Sequence, residues 1–142
     1  MRIGELAERI GASTRSLRYY EEQGLLSPSR DSNGYRDYDE AALVRARNIK
    51  ELLGVGLTTD DVLRYAELGC LERPLTTAPR CTGELDTARE RLESLDRRIS
   101  RLQEVRDRLA QHSGELEASM APAGARYTTT SRTRRDRDGA SG

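Results

Sequence analysis

Apolar residues recur at helical spacing through roughly the first half of the chain. Residues 1–10 carry Ile3, Leu6, Ala7 and Ile10, the i, i+3, i+4, i+7 pattern of an amphipathic helix. Gly11-Ala12-Ser13 then turns the chain. Ser13 is an N-cap candidate for a second short helix from Thr14, because its hydroxyl can accept a free first-turn N–H. Leu17 and Tyr20 lie on one side of that helix, whereas Arg15, Arg18 and Tyr19 fall elsewhere on its circumference. Gly24 stops it. Helix, short Gly-containing turn, helix with exposed arginines is the helix-turn-helix plan, although an ordinary helical hairpin fits the same spacing. Arginine near a helix N-terminus meets an end that is already positive, and the arrangement makes sense if a polyanion sits there.

The polar stretches between helices are equally patterned. Ser27-Pro28 ends the second helix, and Asn33-Gly34 is a strong hairpin signal before alternating aromatic and polar residues. A hairpin at this point forms a wing, with Tyr35, Arg36 and Tyr38 placed to meet a phosphate backbone. Asp39 caps a third helix over residues 40–53, with Ala42, Leu43, Ala46, Ile49, Leu52 and Leu53 as its apolar positions. Gly54-Val55-Gly56 breaks it, and Thr58-Thr59-Asp60-Asp61 reads as an acidic capping box opening a fourth helix to about residue 68. Pro74 and Pro79 bound a non-helical stretch.

From residue 82 to about residue 111 the apolar stripe narrows. Leu85, Ala88, Leu92, Leu95, Ile99 and Leu102 alternate three and four apart, the seam of a coiled coil. Arg106 occupies the next seam position; the stripe resumes at Val105 and Leu109, a three-residue shift that should locally overwind the pairing. Glu93–Arg97 and Glu104–Arg108 stand in the favourable i, i+4 order on the polar face. One such helix buries its stripe only against its own domain, where little apolar surface remains, or against a second copy. Beyond Gly114 the pattern fades. The last stretch, rich in Thr, Ser, Arg, Gly and Ala, reads as a disordered tail whose Arg126, Arg132, Arg134, Arg135 and Arg137 outweigh Asp136 and Asp138. The expected organisation is mainly α: a winged helix-turn-helix domain over 1–70, a linker over 71–81, a dimerisation helix over 82–113 and an Arg-rich tail over 114–142.

Composition narrows the function. The 142 residues carry 24 basic and 24 acidic side chains, so local clustering rather than net charge must signal nucleic acid. Lys50 is the single lysine; arginine suits planar, bidentate partners such as phosphate or guanine. With 35% hydrophobic residues and no Phe or Trp, a large core is not expected, and oligomerisation would add stability. There is no run of membrane-span length and no signal peptide, and two cysteines do not make a secreted disulfide framework, so a cytoplasmic, non-membrane protein is expected. No nucleophile–base set or phosphate loop is visible and there is one histidine, so an enzyme is not expected.

The ordered run Ile3-Gly4-Glu5-Leu6-Ala7, Thr14, Leu17-Arg18-Tyr19-Tyr20-Glu21, Gly24-Leu25, Arg30, Asn33-Gly34-Tyr35-Arg36, Tyr38, Leu53-Gly54 and Leu57 resembles the MerR family of transcription regulators over about residues 1–70. The resemblance implies a homodimer, joined by antiparallel pairing of the long helix, on a two-fold-related operator between promoter elements with an overlong spacer. Activation would bend and untwist the DNA for RNA polymerase, at a cost on the order of a few kcal/mol. It implies that Thr14, Arg15, Arg18 and Tyr19 contact DNA from the recognition helix, with Arg30, Tyr35, Arg36 and Tyr38 in the wing region and Lys50 or Arg47 adding phosphate contacts. Leu17 and Tyr20 would hold the helix in the core. It also implies a short form without a large ligand-binding domain. That leaves a metal, a thiol-reactive or oxidant signal, a partner protein or no effector.

Candidate sensor residues are Cys70, Cys81 and His112. Cys81 precedes a helix N-terminus beside Arg80, both of which favour a thiolate. Its place resembles the helix-start cysteine of the family's divalent-metal sensors, but their two further ligands after the dimer helix are missing here. In an antiparallel dimer His112 would approach the other copy's Cys81, with Glu115 or Glu117 as a third ligand. Cys70 and Cys81 could instead form a regulatory disulfide, or be a small helix-end hydrophobe and an idle thiol. No cofactor is required by any of these readings. Two other classes compete: an architectural, excisionase-like DNA-binding protein, and a coiled-coil interaction module. The long helix favours the regulator over the former.

Overall fold

The computed structural model describes residues 1–120. Its elements are α1 (Ile3–Ile10), α2 (Thr14–Glu22), β1 (Ser29–Arg30), β2 (Arg36–Asp37), α3 (Glu40–Gly54), α4 (Thr59–Glu67) and α5 (Thr82–Ser141), the last described through Met120. Two compact units divide it, residues 1–94 and residues 95–142.

The first unit is the winged helix-turn-helix that the pattern predicts. Three helix starts are capped by the residues the sequence points to. Ser13 accepts from the Ser16 N–H at 3.0 Å and Asp39 from the Ala42 N–H at 2.8 Å. Thr58 and Asp61 close a full capping box, with the Asp61 N–H donating to Thr58 Oγ1 at 3.2 Å and the Thr58 N–H to Asp61 Oδ2 at 2.9 Å. Between α1 and α2, Gly11 takes the left-handed conformation at φ 70°, which ends α1 without a Cβ penalty. Leu6, Ile10, Leu17, Tyr20, Leu43 and Ile49 belong to one hydrophobic cluster to which every helix of this unit before α5 contributes.

β1 and β2 pair antiparallel, Ser29 opposite Asp37 and Arg30 opposite Arg36. The turn is organised by Asp31, whose Oδ1 accepts from the Asn33 and Tyr35 N–H groups at 2.9 and 3.0 Å. Gly34 supplies the positive φ of 82°. The wing is tied back to the N-terminus, where the α-amino group of Met1 donates to Asp37 Oδ1 at 3.0 Å and to the Tyr38 carbonyl at 2.7 Å.

The segment after α4 lies on α3, where Asn48 Nδ2 donates to the Leu71 and Arg73 carbonyls at 3.0 and 2.8 Å. The first turns of α5 run along α4. Tyr65 donates its hydroxyl to the Glu84 carbonyl at 3.1 Å. One α4 turn away, Arg91 grips Asp61 with Nε to Oδ2 at 2.7 Å and Nη2 to Oδ1 at 3.3 Å. The carboxylate that caps α4 therefore also anchors α5.

The second unit is helix alone. The helix expected over residues 82–113 runs further: α5 continues through Gly114 to residue 120. A single interior glycine costs only about 1 kcal/mol relative to alanine, and Glu115, Leu116, Glu117 and Ala118 are good helix formers. The disorder expected from residue 114 is corrected for residues 114–120, which are helical, and over residues 121–142 that expectation lies outside the described residues.

Asp61 makes stability depend on acid. Desolvation pushes its carboxyl upward, but the hydrogen bonds from Arg91 and Thr58 prevail and hold it below its ordinary value of 3.8. A depressed folded value means that the stabilisation is present above 3.8 and is lost as pH falls from there through the folded value. Asp61→Ala is expected to cost about 3 kcal/mol in urea denaturation at neutral pH, near the lower bound for breaking a buried pair. It should also flatten the acid limb of the stability–pH curve; an unchanged acid limb would contradict the assignment.

Candidate functional site

Burial of Leu17 and Tyr20 turns the opposite side of α2 to solvent, where Arg15, Arg18 and Tyr19 are exposed. Neither Arg15 nor Arg18 makes a salt bridge among the described residues, while Thr14 is half-buried at the first turn. Beside them the wing presents Tyr35, 65% exposed, beneath the Arg2 guanidinium, which sits 5.3 Å from the ring centroid. Arg2 also pairs with Asp31 at 2.6 Å; this hydrogen bond, opposed by desolvation and reinforced by the turn N–H groups, holds the Asp31 carboxyl below its usual range. Arg30 donates Nη1 to the Gly34 carbonyl at 3.0 Å, so part of its donor set is spent on the turn. Arg36 Nε pairs with Glu21 Oε2 at 3.0 Å and remains exposed at the edge of the same surface.

One expected DNA contact, Tyr38, is corrected, and a second, Lys50, is exposed but already has partners within the fold. Tyr38 is only 1% exposed and belongs to the hydrophobic cluster; its hydroxyl donates to Glu21 Oε1. Burial first, and then the Glu21 carboxylate, push its phenol well above the ordinary tyrosine range. Lys50 donates Nζ to the Ile10 and Gly11 carbonyls at 3.1 and 2.7 Å. It thereby satisfies the C-terminal carbonyls of α1 and complements the negative end of that helix. Arg47 similarly reaches the Arg9 carbonyl at 3.5 Å.

Two contributing residues escape sequence reasoning. Glu21 joins the recognition helix to the wing by accepting from both Arg36 and Tyr38, and Arg2 bridges the start of α1 to the wing. Neither carries a local signal, since each partner is remote in sequence.

On α5 the predicted seam side chains Leu85, Leu92, Leu95, Ile99, Leu102, Val105 and Leu109 are all exposed, and Ala88 is half-buried. Leu116 and Met120 are exposed as well. Leu116 stands seven residues after Leu109 and Met120 four after that, so both prolong the stripe past the expected end.

The two cysteines meet. Cys70 Sγ and Cys81 Sγ are 3.1 Å apart, and Cys81 Sγ lies 3.5 Å from Glu84 Oε1. Arg80 does not face the sulfurs alone, because its guanidinium pairs with Glu84 Oε2. Burial, then the Cys81 thiol, then the Glu84 carboxylate push the Cys70 thiol up to about 12. Glu84 is pulled upward by desolvation, yet the Cys70 thiol and Arg80 bring it below the usual carboxylate range. Both cysteines are free thiols. His112, Glu115 and Glu117 are exposed on α5 and are not members of this cluster.

Residues 1–68 match the family described as MerR HTH family regulatory protein. The chain is 33% identical over 107 residues to the HTH-type transcriptional regulator HmrR of Rhizobium leguminosarum bv. viciae, covering 75% of this chain and 78% of that protein. It is 31% identical over 105 residues to the mercuric resistance operon regulatory protein of Bacillus cereus, covering 73% and 76%. The chain belongs to the MerR family. It is thus a DNA-binding transcription regulator and not an enzyme. The fold agrees with that of a MerR family transcriptional regulator from Listeria monocytogenes, at a TM-score of 0.53 and 22% identity over 94% of this chain and 98% of that one. No helix among the described residues is long and apolar enough to cross a membrane.

Tyr38→Phe separates a core role from a DNA contact in this MerR protein. Loss of the hydrogen bond to the Glu21 carboxylate is expected to lower unfolding free energy by about 2 kcal/mol in urea titrations, with operator affinity of the folded protein changed less than twofold. Full stability with weakened DNA binding would reverse the assignment.

Proposed function

We propose that the chain works as a homodimer that binds a pseudo-palindromic promoter with a long spacer, and that it controls transcription by bending and untwisting that DNA for RNA polymerase. The observation that carries this reading is the pairing of two unsatisfied surfaces. One is the cationic face of α2 with Arg15, Arg18 and Tyr19, flanked by Tyr35 and Arg36 of the wing. The other is the apolar stripe of α5 in the second unit, where Leu95, Ile99, Leu102, Val105, Leu109, Leu116 and Met120 are exposed. The first surface suits a phosphate backbone and base edges. The second suits its own copy, since exposed leucines at heptad spacing are covered most directly by an identical helix. The antiparallel direction of that pairing follows from the family resemblance. The excisionase-like alternative accounts for the first surface alone.

Residues 1–70 then form the DNA-binding domain, 71–81 a hinge, and α5 from residue 82 the dimerisation helix. Thr14, Arg15, Arg18, Tyr19, Arg30, Tyr35 and Arg36 are the proposed DNA contacts. The signal is read where the hinge begins and ends, with Cys70 just before it and Cys81 at its last residue brought together; the mercuric resistance regulator among the relatives makes a metal the natural class to consider.

Arg18→Ala should weaken operator binding by about 1–3 kcal/mol if it reads a base. If it only neutralises phosphate, the slope of log K against log salt should shrink by about 1. Fluorescence anisotropy across a salt series checks this; affinity and slope both unaltered would exclude Arg18 from the interface. Leu102 is 68% exposed, so Leu102→Asp should leave the unit folded, within about 0.5 kcal/mol. In sedimentation equilibrium the variant should run as a monomer with poor operator affinity, and a persistent dimer would sink the seam.

A further inference from the structure

Cys70 and Cys81 bracket the segment between α4 and α5, eleven residues apart in sequence, and the fold brings their sulfurs within 3.1 Å. Glu84 completes a set of three donors whose ligand atoms all lie within 4.8 Å of one another. The set is held from outside. Glu84 is 8% exposed, and Arg80 occupies its Oε2, which leaves Oε1 toward the sulfurs. Tyr65 pins the Glu84 carbonyl, and Asn48 pins the Leu71 and Arg73 carbonyls just after Cys70. A cavity of about 120 Å³ adjoins the three donors, lined also by Arg73 and Pro79.

We propose that Cys70, Cys81 and Glu84 of one chain form a binding site for a thiophilic divalent cation of the Zn²⁺ or Cd²⁺ type, with a fourth position open to water. Two sulfurs and one carboxylate oxygen suit such an ion, and three protein ligands with an open position are a common tetrahedral arrangement. Metal–sulfur and metal–oxygen bonds of about 2.3 and 2.1 Å would place the sulfurs roughly 3.8 Å apart and each sulfur roughly 3.6 Å from the oxygen. The existing separations of 3.1 and 3.5 Å need adjustment of less than an ångström. On binding, each thiol releases its proton to solvent as its sulfur takes the metal. Two thiolates, one carboxylate, one dication and the paired Arg80 then sum to zero charge, which a half-buried site requires. The ion would join the end of α4 to the first turn of α5. Its use as a signal rests on the regulator reading; its binding does not.

The test uses the full-length reduced protein titrated with Cd²⁺ alone, followed by the ultraviolet thiolate-to-metal charge-transfer band. Operator binding is measured in parallel without metal. One ion per chain with the band of two thiolates is expected. Cys70→Ser and Cys81→Ser should each weaken binding by at least roughly tenfold, more than loss of a supporting residue typically does at its lower bound. Glu84→Gln should weaken it while keeping the wild-type circular dichroism and melting curve, and His112→Ala should leave it unchanged. Loss in His112→Ala with retention in Cys70→Ser would overturn the single-chain site in favour of one shared between copies. Absence of the band in a natively folded, reduced protein would overturn it outright. Cadmium binding without operator binding would defeat the regulator reading and leave the site standing.

Discussion

Leu17 and Tyr20 stand three residues apart on a nine-residue helix, and burying both fixes the rotation of α2 about its axis. With 3.6 residues per turn, no freedom then remains over what α2 shows to water: Arg15, Arg18 and Tyr19 must face outward. Two cations in the first half of the helix oppose its positive end, and neither has a salt-bridge partner in the described residues. In the isolated chain that arrangement is mildly unfavourable. Against a polyanion the same helix end becomes favourable, because its free N–H groups and both guanidinium groups act in the same direction. Glu21 makes the geometry wider than one helix: by accepting from Arg36 and Tyr38 it holds the wing at a set distance from the arginines.

What could be read from the chain follows the range of the interaction. The caps at Ser13, Asp39 and Thr58 form within three residues, and the helices they start were legible to within a residue or two. Tyr38 was not. Arg36 and Tyr38 share strand parity and so should share a face, but β2 ends at Asp37 and the alternation ends with it. Tyr38 is then free to turn inward. The partners of Lys50 were equally out of reach, because the α1 carbonyls that it holds lie some forty residues earlier. The run past Gly114 was hidden by weighing one glycine against too few of its neighbours. The cysteine cluster was visible only as two residues flanking a proline-containing segment; its third donor, Glu84, lies inside the helix, and nothing local marked it.

The exposed stripe on α5 raises a separate physical question. Large apolar side chains scattered singly over a surface need no explanation. Here they recur at three and four residue steps from Leu92 to Leu109 and resume at Leu116 and Met120, with arginine and acidic residues between them. That ordering concentrates the apolar area along one line, and at about 25 cal/mol per Å² its cover would contribute several kcal/mol. Under the proposed pairing, the low hydrophobic content and the long stripe are two aspects of one allocation.

Within the first unit, α5 is fastened to α4 by two anchors of unequal chemistry. At one, a buried carboxylate holds the Arg91 guanidinium with two hydrogen bonds while its Oδ2 also caps α4, and next to it Arg64 pairs with Glu90 at 2.7 Å. That anchor is complete in the protein alone. At the other, two thiols and Glu84 meet with weak sulfur hydrogen bonds, supported by the Tyr65 hydroxyl. Thiols are poor donors and acceptors, so this end contributes little cohesion by itself. Glu84 and Arg91 are seven residues apart, about 10 Å along the helix, far enough for one end to tighten while the other stays fixed. A cation bridging both sulfurs and the carboxylate would replace weak contacts with three strong bonds at the loose end only. Since the anchored end already fixes the position of α5 on α4, the change would fall on the angle between them. An angle between these two helices is a property that a ligand could set without touching the DNA-facing arginines.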